Sequence, residues 1–276
     1  MSGAPPRSVD PFPVFLLCRS RGAGFFIASQ CQAEASALPP VNRLQVHQLF
    51  PTAVATAQLA LDPLELAGLL QDLLALRGAA TGNSNDGCAW TGDINGVWQL
   101  HRHPNFADLA SQITAQAQQY LVSVGFDQRQ VALHLQRCWP VISDWDQLVG
   151  RHHHPNAHLS AVLYLSGSGS GDEGVLRLHA PSRPNELVPG LAVGHGGPIG
   201  EQHPLNQDHW DLAPQPGLLV LFPSQLQHCV LPNGDPEALR CSISFDFVLT
   251  APADGDPPEY LAPHPQHWQP SPPSFA

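Results

Sequence analysis

The sequence predicts an α+β chain that is mainly β, a barrel or jelly roll backed by N-terminal helices. Three observations carry this. Two stretches between residues 62 and 125 keep the 3–4 spacing of amphipathic helices. From Val131 to Leu249 the periodic segments are short and strand-like. Clusters of Gly, Pro, Asn and Ser separate them, as expected for sheets folded onto one another.

Taken in order, residues 1–44 show no period and carry Pro5, Pro6, Pro11, Pro13, Pro39 and Pro40. A poorly ordered leader is expected there, with a short apolar anchor at Phe25-Phe26-Ile27. Residues 45–56 alternate loosely, as one or two short strands. Asp62 then reads as a helix cap, Pro63 as the first helical residue and Gly78 as the stop. Leu66, Leu69, Leu70, Leu73 and Leu74 form the apolar stripe between them. The turn-rich run 81–90, ending on Trp90, reads as a loop. A second helix is expected from Asn105 as cap, with Phe106, Leu109, Ile113, Ala117, Tyr120 and Leu121 on one face and Gly125 closing it. Val131, Leu133 and Leu135 alternate with Ala132, His134 and Gln136, a strand with one buried face. Further strands are expected at 159–165, 175–179, 218–222, 226–231 and 239–249. Past Thr250 a proline-rich tail is expected to be disordered or draped. The organisation is thus a leader (1–44), one domain (45–249) and a tail (250–276).

Composition narrows the function. The apolar fraction of 43% supports a real core, while 13% charged residues is low against a usual value of about 25%. A net charge of -11 argues against a nucleic-acid partner, which needs clustered cations. All twelve basic residues are arginines. That excludes Schiff-base and Walker lysines, so arginine, or less readily histidine, must hold any anionic ligand. The six cysteines form no C-x-x-C pair and fit a cytoplasmic protein with free thiols. No apolar run approaches the roughly 20 residues of a membrane span, and no membrane partner is expected. Residues 12–18 are apolar but hold Pro13 and precede Arg19 and Arg21, a poor signal peptide.

The densest chemistry is Arg151-His152-His153-His154-Pro155-Asn156-Ala157-His158. Residues i and i+2 share a strand face, so His152 and His154 can form half a metal site at the mouth of the strand from Leu159. A distant partner is His228, which follows an apolar strand and a short turn. Two near histidines and one remote leave three positions open on an octahedral metal. Twelve residues on comes Arg240-Cys241-Ser242-Ile243-Ser244-Phe245. Alternation puts Arg240, Ser242 and Ser244 on one face. An inward arginine is costly unless paired, and no acid is spaced to pair with it locally. A carboxylate ligand, gripped by the guanidinium fork and a neighbouring hydroxyl, would satisfy it. The competing readings are a solvated histidine-rich loop and a cross-strand ion pair at Arg240. His101-Arg102-His103-Pro104 repeats the His-x-His-Pro spacing but leads into a helix. His153 and His158 are expected to point the other way or lie off the site, and His179, His195, His203 and His209 to be surface or loop residues.

These motifs, in this order, resemble the 2-oxoglutarate/Fe(II)-dependent oxygenase superfamily. Within it the chain resembles a largely uncharacterised group with His-x-His-Pro, then Phe-Pro-x-x-x-x-His, then Arg-x-Ser-x-Ser-Phe. Here they are His152 to Pro155, Phe222-Pro223 through His228, and Arg240 through Phe245. Leu159-Ser160-Ala161-Val162-Leu163-Tyr164 resembles the strand after the histidine pair, with Ala161 for its glycine and Leu163 for a tyrosine. Leu49-Phe50-Pro51, Ser84-Asn85 through Trp90, and Trp139 extend the likeness upstream, to roughly residues 45–249. The resemblance implies a double-stranded β-helix, Fe(II) held by His152, His154 and His228, and 2-oxoglutarate with its far carboxylate on Arg240 and Ser242. It further implies a hydroxylase-type oxidoreductase acting with O2 on a small molecule or a peptide or protein side chain. His154 stands where most of the superfamily has a carboxylate, and Asp172 or Glu173 is the candidate to supply one.

Two other readings stay open. A cupin-like three-histidine metalloenzyme would use no oxoacid and would tolerate loss of Arg240. A catalytically silent barrel would serve as a binding module and take up no metal.

Overall fold

A computed structural model of the chain describes residues 51–80, 86–171, 173–182, 187–188, 200 and 203–270. The chain divides into two units, Met1–Leu49 and Phe50–Ala276, and the described residues all lie in the second. The expected leader, the start of the 45–56 segment, Ser84-Asn85 and Asp172 lie outside them.

Strand β1 (Ala55–Gln58) leads into helix α1 (Pro63–Ala79). Asp62 caps the helix, its Oδ1 accepting from the N–H groups of Leu64 at 2.9 Å and Glu65 at 3.2 Å. The helix runs one residue beyond Gly78 and is capped by Ala80. After the short strand β2 (Trp90–Thr91) comes helix α2 (Pro104–Ser123). Its cap is His103, not Asn105: the His103 Nδ1 accepts from the Asn105 N–H at 3.3 Å. Pro104, which lacks an N–H and has its φ preset, takes the first helical position and moves the cap upstream. Asn105 instead donates to Asp72 Oδ2 at 2.7 Å, tying α2 to α1.

The remaining strands are β3 (Ala132–Ser143), β4 (Val149–His152), β5 (Leu159–Tyr164), β6 (Leu176–His179), β7 (His209–Leu212), β8 (Leu218–Pro223), β9 (His228–Val230) and β10 (Arg240–Thr250). They form two antiparallel sheets, in the orders β1-β8-β5-β10-β3-β2 and β4-β9-β6-β7. This is a double-stranded β-helix. Strands β4 and β7 had no clear period in the sequence, being four residues each and partly exposed.

One core lies between the helices and the large sheet, where Leu69, Leu73, Phe106 and Ile113 meet Leu163, Leu219 and Phe245. A second lies between the sheets, where Val162, Tyr164, Val220 and Phe222 meet Leu176, Leu178 and Val230. Strands β5 and β8 feed both cores, which is why they read as unbroken apolar runs. In β10 the parity is cleaner. Cys241, Ile243, Phe245, Phe247 and Leu249 face the helices, while Arg240, Ser242, Ser244 and Asp246 face a cavity between the sheets.

Strand β3 changes parity part-way. Asp246 of β10 pairs with Arg137, but the next residue, Phe247, pairs with Leu135. The extra residue, Gln136, is a bulge. Before it Leu133 and Leu135 pack toward the helices; after it Cys138 and Ile142 do. The bulge therefore turns Arg137, Trp139 and Val141 into the cavity.

Where β8 begins, Gly217 has φ +81°. Its carbonyl accepts from the Leu59 N–H at 2.8 Å and its N–H donates to the Tyr164 carbonyl at 2.9 Å. A methyl group there would collide with the Leu59 carbonyl oxygen. Gly217→Ala is expected to destabilise the fold by about 2 kcal/mol or more, from the left-handed backbone alone about 1–2 kcal/mol with the clash added. A urea midpoint within error of wild type would contradict this.

Within residues 251–270 the chain past β10 touches the domain, the His264 ring lying 4.9 Å from the His134 ring of β3. The Ala251 N–H donates to the Ala262 carbonyl at 2.8 Å, and the Trp268 indole N–H donates to the Pro263 carbonyl at 2.9 Å. No described helix is long and apolar enough to cross a membrane.

Candidate metal and cosubstrate site

His152 is the last residue of β4 and pairs directly with His228, the first of β9. His154 lies two residues beyond the strand. Strand alternation therefore does not aim it, as the sequence reading assumed. Its N–H donates to the Ser224 carbonyl at 2.9 Å, and its ring is aimed by a side-chain bond described below. The three rings converge, with centroids 4.3 Å apart for His152 and His228, 5.0 Å for His154 and His228, and 5.2 Å for His152 and His154. One ligand nitrogen from each lies within 4.8 Å of the other two.

The tautomers follow from the partners. His152 Nδ1 lies 2.7 Å from the Gly150 carbonyl, His228 Nδ1 lies 2.8 Å from the Leu226 carbonyl, and His154 Nδ1 lies 2.6 Å from Asp246 Oδ1. Carbonyls and carboxylates only accept, so each Nδ1 carries a proton, and Nε2 is the atom that presents a lone pair when the ring is neutral. The Nε2 atoms of His152 and His154 stand 3.2 Å apart. Lone pairs facing one another at that distance repel unless a cation lies between them. Burial, then the His152 imidazole, push His228 down to about 3, and burial also lowers His152. Both rings are neutral near pH 7, the form that binds metal. A neutral imidazole set fits iron, zinc, copper or nickel.

Asp246 was not singled out in the sequence. It is 2% exposed and accepts from both His154 and the Ser160 hydroxyl, the latter at 2.8 Å. Ser160 also bonds Ser224 Oγ at 2.8 Å. The signal was present: Asp246 lies six residues from Arg240 on an alternating strand, hence on its face. The site therefore has its carboxylate one hydrogen bond behind His154, an arrangement that fixes ring orientation and raises ligand basicity. Glu173 does not supply it: this buried side chain accepts from the Ser168 N–H at 2.7 Å and is absent from the cluster.

Arg240 is 1% exposed. It donates from Nε to the Gly174 carbonyl at 3.0 Å, from Nη1 to Ser242 Oγ at 3.2 Å and from Nη2 to the Tyr164 hydroxyl at 3.4 Å. Its guanidinium carbon stands 5.0 Å from the Tyr164 ring centroid. All these partners are neutral. Among the described residues no acid pairs with it, so the cross-strand ion pair is not formed. A cavity of about 310 Å³ joins the imidazoles to Arg240 and Ser242, walled by Val141, Val162 and Val230.

The other histidines stay outside this set. His153 is exposed and borders the cavity without joining the cluster of His152, His154 and His228. His158 Nδ1 accepts from the Leu249 N–H at 2.9 Å. His103 serves as the helix cap. His179 contacts Cys229, His209 contacts Asp208 and His203 caps a turn. His195 lies outside the described residues.

Residues 137–246 match the family model described as "Putative 2OG-Fe(II) oxygenase". The matched span runs from β3 to β10 and holds the three imidazoles and Arg240. Enzymes of this family are oxidoreductases that use Fe(II) and 2-oxoglutarate, and the imidazoles and Arg240 are chemically suited to both. Among solved structures the chain is similar to the α-ketoglutarate-dependent carbocyclase SnoK from nogalamycin biosynthesis (12% identity, 72% of this chain and 82% of that one, TM-score 0.51). It is also similar to a Pseudomonas putida prolyl-4-hydroxylase (17%, 71% and 92%, 0.47). A third is HygX from Streptomyces hygroscopicus, solved with nickel and 2-oxoglutarate bound (15%, 76% and 85%, 0.46). The first of these supports the double-stranded β-helix assignment. No curated protein sequence matches the chain.

Proposed function

We propose that this oxygenase holds Fe(II) on the Nε2 atoms of His152, His154 and His228, and the far carboxylate of 2-oxoglutarate on Arg240 and Ser242. The overall conversion is R–H + 2-oxoglutarate + O2 giving R–OH + succinate + CO2. One oxygen atom enters the substrate and the other enters succinate. The observation that carries the proposal is the meeting of three Nε2 lone pairs, each fixed by an accepting group behind it, in one cavity with an uncompensated arginine. Bound iron would supply the centre at which O2 and the oxoacid react. The protein's part is positioning. Asp246 holds the His154 ring, Gly150 and Leu226 hold the other two, and Tyr164 and Gly174 hold the Arg240 fork ready for a carboxylate. The valine walls exclude water between the two ends.

The catalytic unit on this reading is the domain at 45–249, with the leader and tail outside it. The thiols of Cys138, Cys229 and Cys241 fit work in a reducing cytoplasm. The substrate is a small molecule or a peptide or protein side chain, with no nucleic-acid or membrane partner. The test is an anaerobic titration of the Fe(II)-loaded protein with 2-oxoglutarate, followed by admission of O2 and quantification of succinate. Saturable binding, and succinate that requires both Fe(II) and the oxoacid, are expected. A metal-loaded protein that binds no 2-oxoglutarate would sink the proposal and favour the cupin-like reading.

A further inference from the structure

The cavity contains a second arginine. The bulge at Gln136 turns Arg137 inward, opposite Asp246 on β10. Arg240 lies six residues away on that strand, about 20 Å at the usual rise. The two arginines therefore mark opposite ends of the cavity, and the carboxylate that holds His154 is at the Arg137 end. The guanidinium carbon of Arg137 stands 5.2 Å from the Trp139 ring centroid, and that ring lies 5.6 Å from the His154 ring. Stacking on Trp139 pre-organises the fork.

Asp93 completes the group. It lines the same cavity and accepts a single bond, at 3.2 Å, from Arg137 Nη2. The three imidazoles line that cavity too. The contact is loose by the standard of this protein: Arg177 grips Asp211 with two bonds of 2.7 Å on the outer face of the small sheet. Among the described residues the other four N–H donors of Arg137 have no acceptor. Both charges thus keep unused capacity and face a cavity suited to small ligands, at the lower end of the usual 300–1,000 Å³.

This pair selects by charge. An anion entering the Arg137 fork alone meets Asp93, and a cation approaching Asp93 alone meets Arg137. A ligand carrying an ammonium and a carboxylate on one carbon replaces one weak contact with two stronger ones, without leaving either side chain opposed by a like charge. We propose that Asp93 and Arg137 recognise the ammonium and carboxylate of a free α-amino acid over the Trp139 floor, so that its side chain reaches toward the imidazoles. The proposal rests on the oxygenase reading of the three histidines and Arg240.

The test supplies the Fe(II)- and 2-oxoglutarate-loaded enzyme with each of the twenty L-amino acids and measures succinate. At least one is expected to raise the rate about tenfold. Its C-amide and its N-acetyl form should each lose about tenfold in kcat/KM, since the Arg137 and Asp93 side chains are 33% and 20% exposed and a partly solvated charge loses less than a buried one when its partner goes. The near-isosteric variants give a crossed result. Arg137→Gln should lose the discrimination against the amide but keep that against the acetyl form, and Asp93→Asn should do the reverse. Retained 2-oxoglutarate binding shows that each variant is folded. Blocked forms as active as the free amino acid overturn the proposal, as would the case for a peptide-borne substrate. So does failure of every amino acid with an enzyme that binds 2-oxoglutarate. An enzyme that binds no 2-oxoglutarate overturns the underlying reading, and this one with it.

Discussion

Arg240→Met is expected to weaken 2-oxoglutarate binding about 100- to 1,000-fold while the metal stays in place. Truncating one partner of a buried charge pair costs about 2–5 kcal/mol, and each 1.4 kcal/mol is about tenfold. The side chain is 1% exposed, so solvent cannot take over the role. Methionine fills much of the vacated volume, whereas alanine would add a cavity cost of its own. In the ligand-free protein two effects oppose each other. The Gly174 carbonyl and the Tyr164 hydroxyl lose their donor, at about 1–3 kcal/mol for an unsatisfied buried group. Against this, a buried cation without a counterion disappears. Ligand-free stability should therefore change less than affinity does. A thermal-shift series reads both at once. At 100 times the wild-type Kd, 2-oxoglutarate should stabilise the metal-loaded wild type by about 2.7 kcal/mol and the variant hardly at all. An equal shift in both would remove Arg240 from the cosubstrate site and favour a barrel that uses no oxoacid.

How far the site was legible depends on what fixed each residue. Arg240 and Ser242 were readable because β10 keeps strict alternation over its cavity-facing stretch, with helix-facing residues at every second position. The same parity places Asp246 on that face. Arg137 and Trp139 were not readable in this way. Their orientation depends on one extra residue in β3, and continuing the Val131, Leu133, Leu135 alternation would have sent both toward the helices. A bulge is set by pairing with a distant strand, which a local period does not report. His154 joins the other two imidazoles for a reason the alternation does not supply: a bond to Asp246, 92 residues away, aims it, not the strand pleat. The fold was easier. Strands buried on both faces and helices with one apolar stripe announce themselves, whereas β4 and β7, short and half-exposed, do not.

The order of effects within the metal site gives the last expectation. His228→Ala should abolish stoichiometric metal binding, and Asp246→Asn should weaken it by only about 10–100-fold, the usual cost of losing a supporting partner. His228 is 3% exposed, and its Nδ1–H is fixed on the Leu226 carbonyl. Its lone pair therefore has no alternative partner in the cavity, and alanine leaves only His152 and His154. Asp246→Asn is gentler for a definite reason. An amide oxygen can still accept from the His154 Nδ1–H, so ring orientation survives and the negative charge behind the ring is what disappears. The variant separates orientation from charge. If orientation were all that Asp246 supplies, Asn would match wild type in metal affinity by equilibrium dialysis. If charge matters, as expected where three neutral imidazoles must hold a dication, affinity falls while Asp246→Glu recovers part of it. Unchanged metal uptake by His228→Ala would separate the imidazoles from metal binding altogether.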